Sequence, residues 1–138
     1  MNGIDVASYQ PAEITQIVNY DFVVVKITQG TGYINPYWKR QVDAALDRGK
    51  VVFVYHYANG SGVNGEVNFF LQSLGDYVKK VGVALDWETN PGGVNSQFYS
   101  PSYAKAWLDE VKKRTGLTGL IYGSKESCFN AMDWRGCT

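Results

Sequence analysis

Short apolar runs alternate with helical patterns along the whole chain, and this alternation limits the possible folds more than any other feature. Strands are predicted at residues 3–8, 22–28, 51–57, 83–88 and 118–123, several of them rich in valine and isoleucine. Continuous β-branched runs are typical of parallel strands that are buried on both faces. Strands that alternate with helices favour a parallel sheet with right-handed crossovers, either doubly wound or closed into a barrel.

Four helical segments separate the strands, and two of them carry start and stop signals. Helices are predicted at residues 11–19 and across the apolar stripe of residues 67–74. The other two begin at Asn35-Pro36 and Ser100-Pro101, where a capping residue precedes a first-turn proline. They end at Gly49 and Gly116, because glycine is the usual residue after the last turn of a helix.

Composition excludes several classes of protein. The 138 residues include 13 basic and 13 acidic side chains without a basic cluster, which argues against nucleic-acid binding. The start of the chain, MNGIDVASYQ, lacks a leader pattern, and no apolar run reaches 18 residues, so neither a signal peptide nor a membrane span is predicted. Two cysteines, Cys128 and Cys137, are too few for a disulfide scaffold and are interpreted as reduced thiols, although their pairing stays open.

Two acidic residues stand at the end of the fourth predicted strand, in the segment VALDWETN at residues 83–90. Because side chains alternate between the faces of a strand, Asp86 and Glu88 point the same way, with Cα atoms about 6.6 Å apart. Asp5 stands at the same end of the first strand, where βα proteins gather their active sites. We therefore expect three carboxylates in a small volume, where repulsion and burial raise at least one pKa.

Such a group provides the proton donor that cleavage of a glycosidic bond needs, while a second carboxylate supports the positive charge on the sugar. A metal site and a structural acid pair are the alternatives. Zinc prefers imidazole ligands, and His56 is the only histidine, while nothing further supports a Mg²⁺ site. His56 itself is expected to be a hydrogen-bonded strand residue. Neither a metal nor a cofactor is predicted.

Tyrosines and a glycine-rich loop accompany these acids. Tyr55 and Tyr57 lie on the face of their strand opposite His56, and Tyr122 ends the fifth strand in a similar position. If they face the acids they line a sugar subsite, and otherwise they fill a barrel. The loop NGSGVNG at residues 59–65 lacks the ending of a phosphate loop and is interpreted as a substrate-side loop.

Five segments occur in a characteristic order over nearly the whole chain. They are GIDVASYQ at 3–10, FVVVKITQGTGYINP at 22–36, VFVYHYANG at 52–60, VALDWETN at 83–90 and GLIYGS at 119–124. This set resembles the N-acetylmuramidase lysozymes of glycoside hydrolase family 25, which are common among phage endolysins and bacterial autolysins. The resemblance implies an irregular TIM-like β/α barrel and hydrolysis of the β-1,4 bond between N-acetylmuramic acid and N-acetylglucosamine in peptidoglycan.

The resemblance also implies a role for individual residues. Glu88 is similar to the family's general acid/base. Asp86 resembles its partner, which either orients the substrate's acetamido group as an internal nucleophile or stabilises the charged intermediate. Asp5 resembles a supporting acid, and Tyr55 and Tyr122 resemble aromatic positions that line the cleft. The predicted substrate-contacting set is Tyr55, Tyr57, Tyr122, Gln29 and Trp87.

Two features depart from the family pattern. The family's second strand usually ends in T-E-G, whose glutamate enters the active site, whereas this chain has Gln29, which keeps a hydrogen-bonding group and removes a charge. The chain also stops in CFNAMDWRGCT, which resembles the run-up to a sixth strand. A single-chain barrel takes about 200–250 residues. We therefore expect about five of its strands, with the C-terminal strands missing.

The main hypothesis is that residues 1–138 form a single, C-terminally incomplete glycoside hydrolase domain that acts on peptidoglycan glycan strands, without a separate cell-wall-binding domain. The alternative is a non-catalytic or assembly-dependent glycan-binding fragment, whose barrel a second chain or a swapped segment completes. A metal-dependent hydrolase would instead lose activity to a chelator. A phage-type enzyme without a signal peptide is expected in the host cytoplasm until its release to the cell wall, or outside the cell by another route.

Overall fold

The computed structural model describes residues 1–88 and 100–123. The strands are β1 (Gly3–Val6), β2 (Phe22–Gln29), β3 (Tyr33–Ile34), β4 (Val51–Tyr57), β5 (Gly82–Asp86) and β6 (Leu120–Tyr122). The helices are α1 (Ile14–Ile17), α2 (Trp38–Asp47), α3 (Val63–Leu74) and α4 (Pro101–Thr115), with a 3₁₀ helix at Gly75–Lys79. The predicted approach to a sixth strand and both cysteines, Cys128 and Cys137, lie outside the described residues.

The order of the strands decides between the two predicted architectures. The sheet runs β1-β2-β4-β5-β6 with every neighbouring pair parallel, and β3 adds a short antiparallel pair to β2. Each parallel strand lies beside its predecessor in the chain, without the reversal of order that defines a doubly wound sheet. The architecture is therefore that of a TIM-like β/α fold. Among the described residues, β1 and β6 each pair along one side only.

The sheet is strongly curved. Neighbouring strands lie about 4.8 Å apart, so a flat sheet would separate β1 from β6 by roughly 19 Å. The Tyr122 hydroxyl of β6 nevertheless donates a hydrogen bond to Asp5 Oδ2 of β1 at 2.8 Å. The two edge strands therefore approach each other across the concave face, as they would in part of a barrel wall.

The convex face of the sheet packs under the helices and forms the core. Val25, Val54 and Val83 are in register on three adjacent strands and are almost completely buried. Phe70 of α3 and Trp107 of α4 are fully buried in the same cluster. Burial of one such side chain is worth about 1.5–3 kcal/mol. Alternate residues of the continuous apolar runs form this face, which fixes the sheet against the helices.

Two of the predicted helices carry the expected signals at their ends, although α2 begins at Trp38, later than the start predicted at Asn35-Pro36. Asn35 Oδ1 accepts a hydrogen bond from Tyr37 N at 2.9 Å just before α2, and Ser100 Oγ accepts one from Ser102 N at 3.2 Å at the start of α4. Gly49 and Gly116 follow the helices with φ of 69° and 78°, a region that favours glycine. None of the helices within residues 1–88 and 100–123 is long and apolar enough to cross a membrane.

The helix predicted over residues 11–19 is wrong in length, because α1 is a single turn. The carbonyl groups that a longer helix would use are taken by side chains. Arg48 Nη1 donates to Thr15 O at 2.7 Å and to Val18 O at 2.9 Å, and the Tyr20 hydroxyl donates to Thr15 O at 2.8 Å. Ile17, which the helical pattern assigned to a buried face, is 72% exposed. Tertiary hydrogen bonds therefore override the local pattern here.

Candidate active site

A cleft of about 460 Å³ opens on the concave face, at the carboxyl ends of the strands. Strand register explains which side chains meet there. Gln29 of β2 pairs with Tyr57 of β4, and Tyr57 pairs with Asp86 of β5, so all three point to the same face. The complete lining is Asp5, Ala7, Tyr9, Gln10, Lys26, Gln29, Tyr55, Tyr57, Asp86 and Glu88. The three acids expected from the sequence thus share one cleft.

Asp86 and Glu88 form a carboxyl pair that differs in burial. Asp86 is 5% exposed, and its Oδ1 is buried without a hydrogen-bond partner among the described residues, whereas Glu88 is half-buried. Burial raises the pKa of Asp86 to about 8, and the charge and hydrogen bond of Glu88 and the charge of Asp5 contribute to the rise. An ordinary aspartate has a pKa near 3.9. The two carboxyl groups therefore retain one proton between them at neutral pH.

Asp5 is held by tyrosines at the edge of the cleft. Tyr122 donates to its Oδ2, and Tyr55 hydrogen-bonds to the same carboxyl group. Burial raises the pKa of Asp5, and these hydrogen bonds offset part of that rise. Burial also raises the pKa of Tyr55, of Tyr122 and, to about 12, of Tyr57. All three tyrosines therefore stay protonated and are available as hydrogen-bond donors.

A β-bulge in β2 brings two further polar residues into the cleft. The register with β4 shifts between Lys26, which pairs with Tyr55, and Thr28, which pairs with His56. Residues three apart would face opposite sides of a regular strand, but the extra residue returns Gln29 to the side of Lys26. Lys26 Nζ donates to Gln29 Oε1 at 2.6 Å.

Sequence reasoning missed four residues of this lining, namely Ala7, Tyr9, Gln10 and Lys26. Lys26 had a visible signal, since it is the one charged residue within the apolar strand FVVVKITQ. Tyr9 and Gln10 follow β1 in a connection where no sequence periodicity indicates which way the side chains point. Gln10 Oε1 accepts from Ala7 N at 2.7 Å, and this bond folds the connection back onto the strand end.

The inclusion of Trp87 in the substrate-contacting set is corrected by the structure. Its side chain is completely buried in the core on the convex side, where its ring stacks on Tyr103 of α4 with centroids 5.3 Å apart. Alternation along the strand explains this position, because Asp86 and Glu88 on either side of Trp87 take the concave face. Trp87 supports the acid-bearing segment from behind and does not line the cleft.

His56 is a hydrogen-bonded strand residue, as expected, and it belongs to a buried network behind the cleft. Its Nε2 donates to Glu66 Oε1 at 2.9 Å, and its Nδ1 lies 2.7 Å from Thr28 Oγ1. Glu66 also accepts hydrogen bonds from the backbone N–H groups of Asn59 and Gly60 and from the Tyr103 hydroxyl. This single carboxylate ties α3, α4 and the loop after β4 together.

Replacement of Glu66 by glutamine is expected to lower the free energy of unfolding by about 2–4 kcal/mol. The reason is that the amide nitrogen of glutamine would face buried hydrogen-bond donors, which the Glu66 carboxylate oxygens now accept from. Burial raises the pKa of Glu66, but hydrogen bonds from His56, Tyr103 and Asn59 outweigh it and leave the pKa lowered. The wild type therefore has its full stability advantage over Glu66→Gln above the ordinary glutamate pKa, near 4.3. This difference in the free energy of unfolding shrinks as the pH falls below that value.

Urea unfolding of Glu66→Gln at pH 7 and at pH 3.5 measures this effect. Glu110→Gln is the matched control, since Glu110 pairs with Arg114 at 2.8 Å on the solvent side of α4. Its expected cost is about 0.3–0.5 kcal/mol. Equal costs for the two variants at pH 7 would contradict the structural role of Glu66.

Within residues 1–88 and 100–123, no group of three or more His, Cys, Asp or Glu side chains is arranged to hold a metal ion. His56, the only imidazole of the chain, is turned away from the cleft and bonded to Glu66.

The cleft lies at the carboxyl ends of the parallel strands, which is where TIM-like β/α folds place their active sites. The model of the family described as "Glycosyl hydrolases family 25" matches residues 4–135. The chain therefore belongs to glycosyl hydrolase family 25, and the resemblance seen in its five ordered motifs is confirmed.

Individual relatives agree with this assignment. The chain is 33% identical to the lysozyme of Streptococcus phage Cp-9 over 96% of its own length and 38% of that protein. It is 26% identical to the N,O-diacetylmuramidase of Chalaropsis over its full length and 70% of that protein. The fold matches that of the muramidase from Acremonium alcalophilum with a TM-score of 0.76, at 23% identity, over 100% of this chain and 69% of that one. The chain thus spans only part of these relatives.

Proposed function

We propose that the cleft cleaves the β-1,4 bond between N-acetylmuramic acid and N-acetylglucosamine in peptidoglycan. The observation that carries this proposal is the arrangement of Asp86, Glu88 and a third carboxyl group, Asp5, in one cleft, where burial raises the pKa of Asp86 to about 8. Glycosidic cleavage needs one protonated and one ionised carboxyl group on the same bond. Two relatives, a lysozyme and an N,O-diacetylmuramidase, support the same reaction by their names.

Glu88 is the proton donor in this proposal, so the one proton that the pair shares lies on Glu88, and Asp86 is ionised, when the glycan is bound. Asp86 is buried beneath the cleft, whereas Glu88 is half-buried and has the longer side chain, so it reaches the glycosidic oxygen. As the bond from the sugar C1 to that oxygen breaks, its electron pair goes to the oxygen and the Glu88 proton joins it. A water molecule then attacks C1 and gives its proton back to Glu88. Asp86 supports the developing positive charge directly or by orienting the acetamido group.

Asp5 and the tyrosines hold the sugar in this proposal. Tyr55 and Tyr122 fix the Asp5 carboxyl group by hydrogen bonds, while Tyr57 and Gln29 face the same space. A phenol ring offers an apolar face and a polar end, which suits a sugar ring with its hydroxyl groups. The cleft therefore has the groups needed to orient a glycan chain across the acids.

Tyr9 is expected to extend this contact to a neighbouring sugar. It lines the cleft and yet is 92% exposed, so its ring is available for stacking. We expect Tyr9→Ala to raise KM for soluble glycan oligomers about 2- to 10-fold with little change in kcat, and Tyr9→Phe to retain wild-type KM. Tyr37→Ala is the control, because Tyr37 is partly exposed but lies outside the cleft lining. An unchanged KM in Tyr9→Ala would remove Tyr9 from the site.

A glycan-binding fragment without turnover is the second candidate. It is favoured by the exposure of apolar residues on the concave side such as Leu120, which is 51% exposed. In that case a second chain or a swapped segment completes the wall of the cleft. Reducing ends released from purified peptidoglycan by the isolated chain support the enzyme. Binding of glycan oligomers without release supports the fragment.

The site of action in this proposal is the bacterial cell wall, since peptidoglycan is found there. Two relatives are lysozymes of phages, from Streptococcus phage Cp-9 and Lactococcus phage mv1. A protein of this kind reaches its substrate when it is released from the host cell. To test this route, the chain is expressed in a bacterial host together with a pore-forming protein, and lysis of the host from within is measured.

A further inference from the structure

Lys26 is the only positively charged residue among the described residues that line the cleft. It stands in the middle of β2, an otherwise apolar strand, and is half-buried. An ammonium group in such a place loses hydration, so it needs compensation from neighbouring groups. Its surroundings therefore indicate what it does.

Lys26 is held in place by groups that do not cancel its charge. Its Nζ donates to Gln29 Oε1 at 2.6 Å, and the amide of Gln29 is neutral. The same nitrogen lies 4.8 Å from the ring centroid of Tyr57 and 5.2 Å from that of Tyr33, on whose faces a cation is favoured. The bulge in β2 creates this arrangement, because it places Gln29 on the same side as Lys26. The ammonium charge is thus fixed and remains available to the carboxyl groups.

The groups that act on Lys26 come from several strands around the cleft. The carboxyl groups of Asp5, Asp86 and Glu88 all stabilise its charged form, which opposes the lowering of the Lys26 pKa by burial. In return, Lys26 opposes the rise in the pKa of Asp86 and of Asp5. Among the described residues, the titratable groups that face Lys26 are Asp5 from β1, Tyr33 from β3, Tyr55 and Tyr57 from β4, and Asp86 and Glu88 from β5 and the residues after it.

We propose that Lys26 is a positioning residue of the cleft, whose ammonium group is the counter-charge that keeps one carboxylate of the three acids ionised while another holds a proton. Three carboxyl groups in a buried site would otherwise tend to be neutral together, because burial disfavours each ionised form. A glycosidase needs both states at once. The consequence for catalysis rests on the proposed function, whereas the charge balance itself does not.

Direct titration of the side-chain carboxyl carbons by ¹³C NMR, in the absence of substrate, tests the charge balance whether or not the chain is an enzyme. We expect Lys26→Met to raise the apparent pKa of the Asp86–Glu88 pair by about 1–2 pH units, since an opposite charge at close range lowers a carboxyl pKa by that order. Lys26→Arg keeps the charge and is expected to restore the wild-type titration. If Lys26→Met does not fold, Lys26→Gln removes the charge and keeps a partner for Gln29.

Gln29→Glu provides an independent arm of the same experiment. The new carboxylate would lie within hydrogen-bond distance of Lys26 Nζ and neutralise it, so the pair should again titrate at higher pH. With activity as the second readout, the acid limb of the pH–rate profile should move to higher pH in Lys26→Met and return in Lys26→Arg. An unchanged or lowered pKa of the pair in the charge-removing variants would overturn the proposal. An upward shift in an inactive chain would support it and reject only the proposed function.

Discussion

Glu88→Gln is expected to lower the rate of reducing-end release from peptidoglycan by about 100- to 10,000-fold, the range that general acid catalysis contributes. Glutamine has nearly the same size and can still accept and donate hydrogen bonds, but it cannot deliver a proton to the glycosidic oxygen. Glu88 is half-buried in the cleft, and the variant should therefore fold and bind glycan as the wild type does. Release of reducing ends, with glycan binding measured in parallel, checks this expectation.

The leaving group provides a sharper control for Glu88→Gln. A synthetic glycoside with an activated aryl leaving group needs little protonation, so the variant should lose much less activity on it than on peptidoglycan. Glu110→Gln, on the solvent side of α4, is expected to behave as the wild type on both substrates. An equal loss on both substrates would assign Glu88 another role, and wild-type activity on peptidoglycan would reject it as the proton donor.

Asp86→Asn is expected to have the second largest effect, a loss of about 100- to 1,000-fold, which is typical when one electrostatic contact to the transition state is removed. Asparagine cannot share a proton with Glu88 or carry the negative charge that supports the sugar cation. The variant should retain its affinity for glycan oligomers, so the loss should appear in kcat. A variant that retains wild-type kcat would exclude Asp86 from the chemistry.

Asp86→Asn should lower the activity, as described above, but raise the stability of the folded protein at pH 8. The pKa of Asp86 is raised to about 8 by burial and by its acidic neighbours, so ionisation costs the folded state more than the unfolded chain. Wild-type stability should therefore fall between about pH 4 and pH 8, where the unfolded state has lost this proton and the folded state retains it. The variant should lack this fall and be the more stable protein at pH 8. Thermal unfolding at pH 4 and pH 8 measures the difference.

The fold could be predicted largely from sequence because its strongest signals are physical requirements of burial. The runs 22–28 and 51–57 are apolar because one face of each strand packs under helices, and the caps at Ser100 and Gly116 satisfy helix ends regardless of tertiary context. The helix at 11–19 failed for the opposite reason. Its length depends on hydrogen bonds from Arg48 and Tyr20, which come from elsewhere in the chain.

The acids of the cleft could also be predicted, since alternation along one strand places Asp86 and Glu88 together and the ends of parallel strands gather Asp5 beside them. The same rule puts Trp87 on the far side, and its inclusion among substrate contacts was wrong. The partnership of Lys26 with Gln29 could not be foreseen. It depends on a bulge, which arises from pairing with β4 and has no clear signature in FVVVKITQ.

Mass spectrometry of the products formed when the purified chain digests purified peptidoglycan tests the proposed cleavage directly. We expect fragments with new reducing ends on N-acetylmuramic acid, formed by the wild-type chain and not by Glu88→Gln. Folded protein that binds glycan but releases no reducing ends, or that leaves reducing ends on N-acetylglucosamine, would contradict this expectation.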